Sequence, residues 1–337
     1  MTQKKTSVSA KDIMMKLGSL LALFILGVIL SIASPNFLTI SNIMNIFRQT
    51  AVNSLIASGM LVTLITAGID LSVGANCVLC TCVMGALANN FGVTNPAVLI
   101  LAALATGLTV GLLNGLLLTK LHLPHPFVST LGMKNVLCGL ALLVVSSKTV
   151  AGFPAGVTAL GSTNILKVEG KFSGFPLSFI VVILIFICFH FFLNNTALGR
   201  QIFCVGGNPE ATRLSGINSD NVLIFVYALC GFMAAIAGIV LVGRTGVANP
   251  ASAIEPYDTD AIAACIIGGA SFMGGKGTIW GTLIGAILIS TIRNGLTLLK
   301  ASSDIQYVVI GLVIIAAVFI DVTRVAMEAK ARRLAAK

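Results

Sequence analysis

The sequence predicts an all-α polytopic membrane protein of about ten transmembrane helices, some of them broken or short, with an internal repeat. Three observations carry that reading. Of 337 residues, 57% are apolar and only 9% charged, and the mean hydropathy is +1.02, where a soluble domain carries about 25% charged residues. The apolar set, roughly 190 residues, is close to what ten helices of about 20 residues consume. The net charge of +10 gathers at the two ends, in Lys4, Lys5, Lys11 and Lys16 and in Arg324, Lys330, Arg332, Arg333 and Lys337. Such terminal clusters in a membrane protein read as cytoplasmic anchors, because translocation selects against Lys and Arg. A soluble globular protein and a nucleic-acid binder are excluded.

The first apolar run, Leu17–Ala33, lacks a small-x-small cleavage site and reads as an uncleaved span. The stretch from Asn36 to Gln49 alternates apolar and polar residues at helical spacing, as an amphipathic segment on the outer surface does. Spans are then expected at Ala51–Ala67 and Ala75–Ala88, separated by Gly68-Ile69-Asp70-Leu71-Ser72-Val73-Gly74. The next, Ala97–Leu118, carries Gly107, Gly111 and Gly115, whose small-xxx-small spacing allows close helix approach in lipid. Val128–Val145, Leu177–Leu193 and Val222–Val242 follow. The last three are Ala261–Met273, Gly277–Thr291 with Gly281 and Gly285, and Ile305–Ile320.

The stretch Gly269-Ala270-Ser271-Phe272-Met273-Gly274-Gly275 breaks the chain as the Gly68–Gly74 stretch does, about 200 residues later. Paired Gly-interrupted segments are a signature of internal repeats in transporters. An even number of spans puts both ends on one side, and most Lys and Arg residues then fall on the cytoplasmic side, with Lys134 inside a span. The organisation is a cytoplasmic tail over 1–16, one permease domain over 17–320 and a basic cytoplasmic tail over 321–337.

No enzymatic constellation is present. Gly269, Gly275, Lys276, Gly277 and Thr278 miss a nucleotide P-loop, which needs four residues between its glycines and Ser or Thr directly after the lysine. Cys77, Cys80 and Cys82 lack a second ligand pair at zinc spacing and read as small buried residues. His122 and His125 flank Pro124 in a short loop, and His190 reads as a packed or interfacial residue. Asp70 and Asp321 read as the only carboxylates near the spans. Asp70 either caps the next half-helix or lines a route, as an intramembrane charge kept for function does.

The loop between the sixth and seventh spans, Gly199-Arg200-Gln201-Ile202-Phe203-Cys204-Val205-Gly206-Gly207-Asn208-Pro209-Glu210-Ala211-Thr212-Arg213-Leu214-Ser215-Gly216-Ile217, holds capping residues before Glu210 and stops at Gly216. A short helix ended by glycine suits docking in a partner's cleft; the alternative is a plain connector.

These residues bring a family into view. Glu210-Ala211 with Gly216 resembles the coupling-loop motif of importer permeases of the ATP-binding-cassette class, with Thr212 in place of a second alanine. Asn36-Phe37-Leu38-Thr39 with Asn42, Asn45, Arg48 and Gln49 resembles ribose-type monosaccharide permeases. So do Gly68–Gly74, Phe127-Val128 with Thr130-Leu131-Gly132, Gly199-Arg200 through Gly216-Ile217, and Asp260-Ala261-Ile262-Ala263-Ala264 running into Gly274, Gly275, Gly277 and Thr278. The likeness runs in order along essentially the whole chain. The dense Cys77, Cys80 and Cys82 depart from it.

The resemblance implies about ten helices per subunit, a multi-pass inner-membrane protein with cytoplasmic termini, and a second permease subunit, either an identical copy or a close paralogue. It also implies a cytoplasmic ATPase that holds the ATP and magnesium, with no cofactor on this chain, and a periplasmic substrate-binding protein. Gly199, Arg200, Gly207, Asn208, Glu210, Ala211 and Gly216 would form the coupling loop. Asp70 and Ser72 would stand near the pathway, and Asn76, Asn114, Thr130 and Asn135 offer the hydroxyls and amides that a sugar exchanges hydrogen bonds with. The same residues can instead bond helices together in lipid. The rival functions are an ion-coupled secondary carrier, an intramembrane enzyme, and a permease of the same class for another small polar solute.

Overall fold

A computed structural model describes residues 10–121, 123, 125–167 and 174–335. His122, Pro124, Lys171 and the ends bearing Lys4, Lys5 and Lys337 lie outside the described residues. The helices in chain order are α1 Ala10–Ala33, α2 Ile40–Ile65, α3 Val73–Asn90, α4 Pro96–Lys120, α5 Pro126–Val144, α6 Ala155–Ser162, α7 Leu177–Asn195, α8 Ala197–Gly207, α9 Pro209–Leu214, α10 Ser219–Thr245, α11 Tyr257–Ile267, α12 Ile279–Leu298 and α13 Ser303–Ala335. Ten of these correspond to the ten expected spans. Seven (α3, α4, α5, α7, α10, α12 and α13) are long and apolar enough to cross a membrane on their own composition. Two dipeptide ladders, Val150–Ala151 against Val247–Ala248 and Asn164–Ile165 against Phe175–Pro176, tie the connecting loops.

Helix starts follow the capping chemistry in the sequence. Thr39 opens α2 by accepting from the Asn42 amide, Asn95 opens α4 with Pro96 in first position, and Thr278 opens α12 by accepting from the Gly281 amide. One expected element is corrected here. The amphipathic stretch up to Gln49 is not a separate surface segment, because α2 runs unbroken from Ile40 through it into the buried half of the same helix. The exposed Ile40 and Ser41 give way to fully buried Ala51 and Leu55 as the helix enters the bundle.

At the centre of the bundle α10 packs against α4, α2 and α3. Its seam with α4 is made of small residues, as the spacing predicts. A β-carbon at Gly107 would meet the Gly231 carbonyl and Ala235, one at Gly111 the Tyr227 carbonyl and Ala228, and one at Gly115 the backbone of Ile224. The dispersion attraction of such close backbone approach holds helices together where lipid removes the hydrophobic drive. A second seam of this kind joins α11 to α12, Gly268 against Gly281 and Ala264 against Gly285.

The two glycine-bearing breaks meet each other. The Gly275 amide donates to the Ile65 carbonyl at 2.8 Å, closing the end of α2, and Gly274 sits against Ala67 and the Gly206 carbonyl. Ala67 takes φ 59° and Gly274 φ 80°. The sharp chain reversals at the two breaks thus share one junction, beside α8.

Candidate functional site

Three clusters of polar residues stand out from the apolar bundle. The first is the protrusion between α7 and α10. Thr196 accepts from the Gly199 amide at 3.0 Å to start α8, and Asn208 accepts from the Ala211 amide at 3.0 Å to start α9, with Pro209 in first position. Thr212, buried, donates from its hydroxyl to the Asn208 carbonyl at 2.8 Å. A second alanine could not make that bond, and the hydroxyl ties the helix to its own cap. Gly216 ends the unit at φ 80°, a left-handed conformation that costs other residues roughly 1–2 kcal/mol. Arg200, Gly207, Glu210, Ala211 and Gly216 are exposed, while Gly199 is buried against the end of α7. Glu210 and Arg213 pair at 2.8 Å, and that hydrogen bond holds the Glu210 carboxyl below its ordinary range. Leu214 is 77% exposed at the tip.

Removing the Asn208 side chain by Asn208→Ala should fray α9 at a cost of about 1 kcal/mol. Faster amide exchange at Ala211, with the bundle's own protection unchanged, is the expected reading.

The second cluster surrounds the first break. Asp70, 2% exposed, accepts from the Ser72 amide at 2.9 Å and from the Ser72 hydroxyl at 2.6 Å. The Asn114 amide donates to the Ser72 hydroxyl at 2.8 Å and reaches both Asp70 oxygens at 3.4 Å. Tyr227 and Thr130 both donate to the Ile69 carbonyl, at 3.2 and 3.4 Å. Asn76 donates to the Gly107 carbonyl at 3.3 Å. Irregular backbone at membrane depth is tolerated where protein groups satisfy it, and α3, α4, α5 and α10 supply those groups.

The third cluster has no counterpart in the sequence-based expectations. Asp258 and Asp260 occupy the first turn of α11 and are 1% and 6% exposed. Lys134 of α5 donates to Asp258 Oδ2 at 2.7 Å, and Arg293 of α12 grips both oxygens of Asp260 at 2.8 and 2.9 Å. The positive end of α11 favours both carboxylates. Asp70 and Asp321 are therefore not the only acidic groups among the spans.

Residues 42–318 match the family described as branched-chain amino acid transport system / permease component. The ribose import permease protein RbsC of Escherichia coli K12 is 41% identical over 310 residues, 91% of this chain and 94% of that one. Its counterpart in Bacillus subtilis is 40% identical over 311 residues, covering 92% and 93%. The galactose/methyl galactoside import permease protein MglC of E. coli K12 is 34% identical over 319 residues, covering 90% and 93%. The chain belongs to this permease family. No solved structure matches it.

Within the permease, the expected site residues fall in separate places. Asp70, Ser72, Asn76, Asn114 and Thr130 converge in the junction of α3, α4 and α5 and are all buried, whereas Asn135 lies apart on the exposed side of α5. The residues expected to form a coupling loop lie in and around α8 and α9. Sequence reasoning misses Asp258 and takes Asp260 only as the start of a family-like motif, because the apolar run begins at Ala261. A signal was present: acidic residues favour a helix's first turn, and the basic residues Lys134 and Arg293 need partners when they lie in apolar surroundings.

Proposed function

We propose that this permease is the translocation subunit of an ATP-driven importer that carries a ribose-like monosaccharide across the bacterial inner membrane. The observation that carries the reading is the match, over nine-tenths of the chain, to proteins named as ribose and galactose import permeases. The chain itself hydrolyses no ATP. A separate cytoplasmic ATPase, holding ATP and magnesium, seats on residues 199–217, and a periplasmic binding protein delivers the sugar at the opposite face. Two permease subunits, identical or closely paralogous, enclose one route. Both termini face the cytoplasm, and the 1–16 and 321–337 segments flank the single permease domain.

In this scheme Asn208, Glu210, Ala211 and Gly216 form the contact with the ATPase, with Gly199, Arg200 and Gly207 supporting the helix beneath. The capped shape of α9 supports this, since a short rigid knob transmits motion with little loss of ordering entropy. Closing and opening of the ATPase pair then moves α8. Gly206 lies against the Ile65 carbonyl and Gly275, so a shift of α8 reaches both breaks directly. Asp70, Ser72, Asn76, Asn114 and Thr130 hold the first break in shape while it moves, near the route but not on its wall.

The experiment is purification through a tag on this chain in mild detergent, with mass spectrometry of what accompanies it. An ATP-binding-cassette ATPase in stoichiometric amount is expected; a chain that purifies alone and transports on an ion gradient would overturn the reading. A second check is Gly216→Trp. A β-carbon there meets no other atom, and the left-handed φ of 80° adds only a local strain of about 1–2 kcal/mol at this exposed position, so membrane insertion should be intact. Uptake should fall at least tenfold, and unchanged uptake would remove the loop from the coupling path.

A further inference from the structure

Among the seven long apolar helices, α5 is one of the least enclosed by the rest of the chain, second only to α13. Its open side carries Leu131, Gly132, Asn135, Val136, Gly139 and Leu140, and a β-carbon at either glycine would meet nothing. Lys134 lies beside this face with 22% of its side chain exposed. It is the ninth residue of α5, so it stands about 12 Å along the helix from Pro126, near mid-span. A lysine and an asparagine opening at that depth are costly against lipid, and ionisable groups in spans face water-filled or protein-lined space.

Lys134 binds only one oxygen of Asp258; the other, Oδ1, is buried with no partner. Buried polar atoms are nearly always paired, so this unpaired oxygen leaves the ion pair incompletely satisfied. The ammonium group has three protons and spends one on Oδ2. The cluster therefore offers the remaining ammonium protons and the exposed Asn135 amide above an incompletely satisfied carboxylate, and its net charge is zero. A neutral polyol fits that inventory, because its hydroxyls can accept from Nζ and can both donate to and accept from the Asn135 amide without breaking the ion pair. A charged solute would have to compete with the pair itself.

We propose that Lys134, Asn135 and Asp258 form a transient hydrogen-bonding station for the carried monosaccharide, on the wall of the route along α5. This rests on the importer reading above. None of the three is shared with the Asp70 junction or with the α8–α9 protrusion.

The test uses the assembled transporter in lipid vesicles, with its ATPase and binding protein, and with Cys138, Cys188 and Cys204 replaced by alanine. In that background Asn135→Cys should react with a charged, membrane-impermeant methanethiosulfonate during ATP turnover at least tenfold faster than Leu184→Cys, a comparison position at an apolar residue of α7 that is 57% exposed. Ribose with its binding protein should slow the reaction. Equal rates at the two positions would overturn the proposal by putting the open side of α5 in lipid.

A second arm replaces the ion pair with amides, Lys134→Gln together with Asp258→Asn. Ribose moved per ATP hydrolysed should fall at least tenfold while ATP hydrolysis stimulated by the binding protein is retained. An unchanged ratio would make the pair a purely structural tie and would sink the station. Should the double variant fail to assemble, the labelling arm decides alone. If the unmodified complex shows no ATP hydrolysis in response to the loaded binding protein, the importer reading fails, which is a different outcome from equal labelling rates.

Discussion

Asp260→Ala should be among the most damaging single changes in this permease, costing about 3–5 kcal/mol. The Arg293 guanidinium, held by two hydrogen bonds and with 25% of its side chain exposed, would keep its charge with no carboxylate to meet it. The loss comes mainly from that stranded charge and less from the pair's own attraction, because desolvating two ions offsets most of their Coulomb gain. The diagnostic is the second change. Arg293→Met in the Asp260→Ala background removes the stranded charge and should recover a large part of the lost stability. Thermal unfolding of the detergent-solubilised protein reads both steps, and a double variant no better than the single one would show that the pair matters for reasons other than its charge.

Gly206→Ala is expected to be comparably severe, by a steric route. A β-carbon at Gly206 would overlap the Ile65 carbonyl and press on the Gly275 amide that donates to it. All three neighbouring atoms are backbone, so no side chain can swing aside, and the strain must separate α8 from α2. A loss above about 3 kcal/mol is in line with overpacking where nothing can relax. The adjacent Gly207→Ala is the control. It meets no atom, lies in the last turn of α8 with an ordinary negative φ, and should change stability by less than about 1 kcal/mol. Abundance of the two variants in membranes, followed by melting in detergent, separates them. Equal abundance and equal melting would mean that α8 does not seat on the end of α2.

Much of the bundle is readable from the order of residues. Composition and run length locate the ten helices that correspond to spans, although α11 ends at Ile267, short of the expected Met273, and the glycines at 107, 111 and 115 name the face that α4 turns to α10. The protrusion is legible too, since Asn208 as cap and Gly216 as stop act within a few residues of themselves. The errors come where local pattern and burial diverge. The stretch before Gln49 reads as a surface helix because half its residues are polar, yet it is the first part of a helix that runs on into the bundle, and its own polar groups find partners far away, Asn42 with Asn294 at 2.9 Å and Arg48 with Asn164 at 3.0 Å.

What the sequence alone determined, then, is what depends on neighbours along the chain: which runs are apolar enough to leave water, where helices start and stop, and which family the ordered motifs resemble. The tertiary structure decided which charges meet. Lys134 and Asp258 are 124 residues apart, and the two breaks are brought together by one hydrogen bond between Gly275 and Ile65. Such pairings carry no local signature because a carboxylate's need for a partner is isotropic, so any distant cation can satisfy it. Only the packing of helices, set by the small-residue seams, selects the one that does.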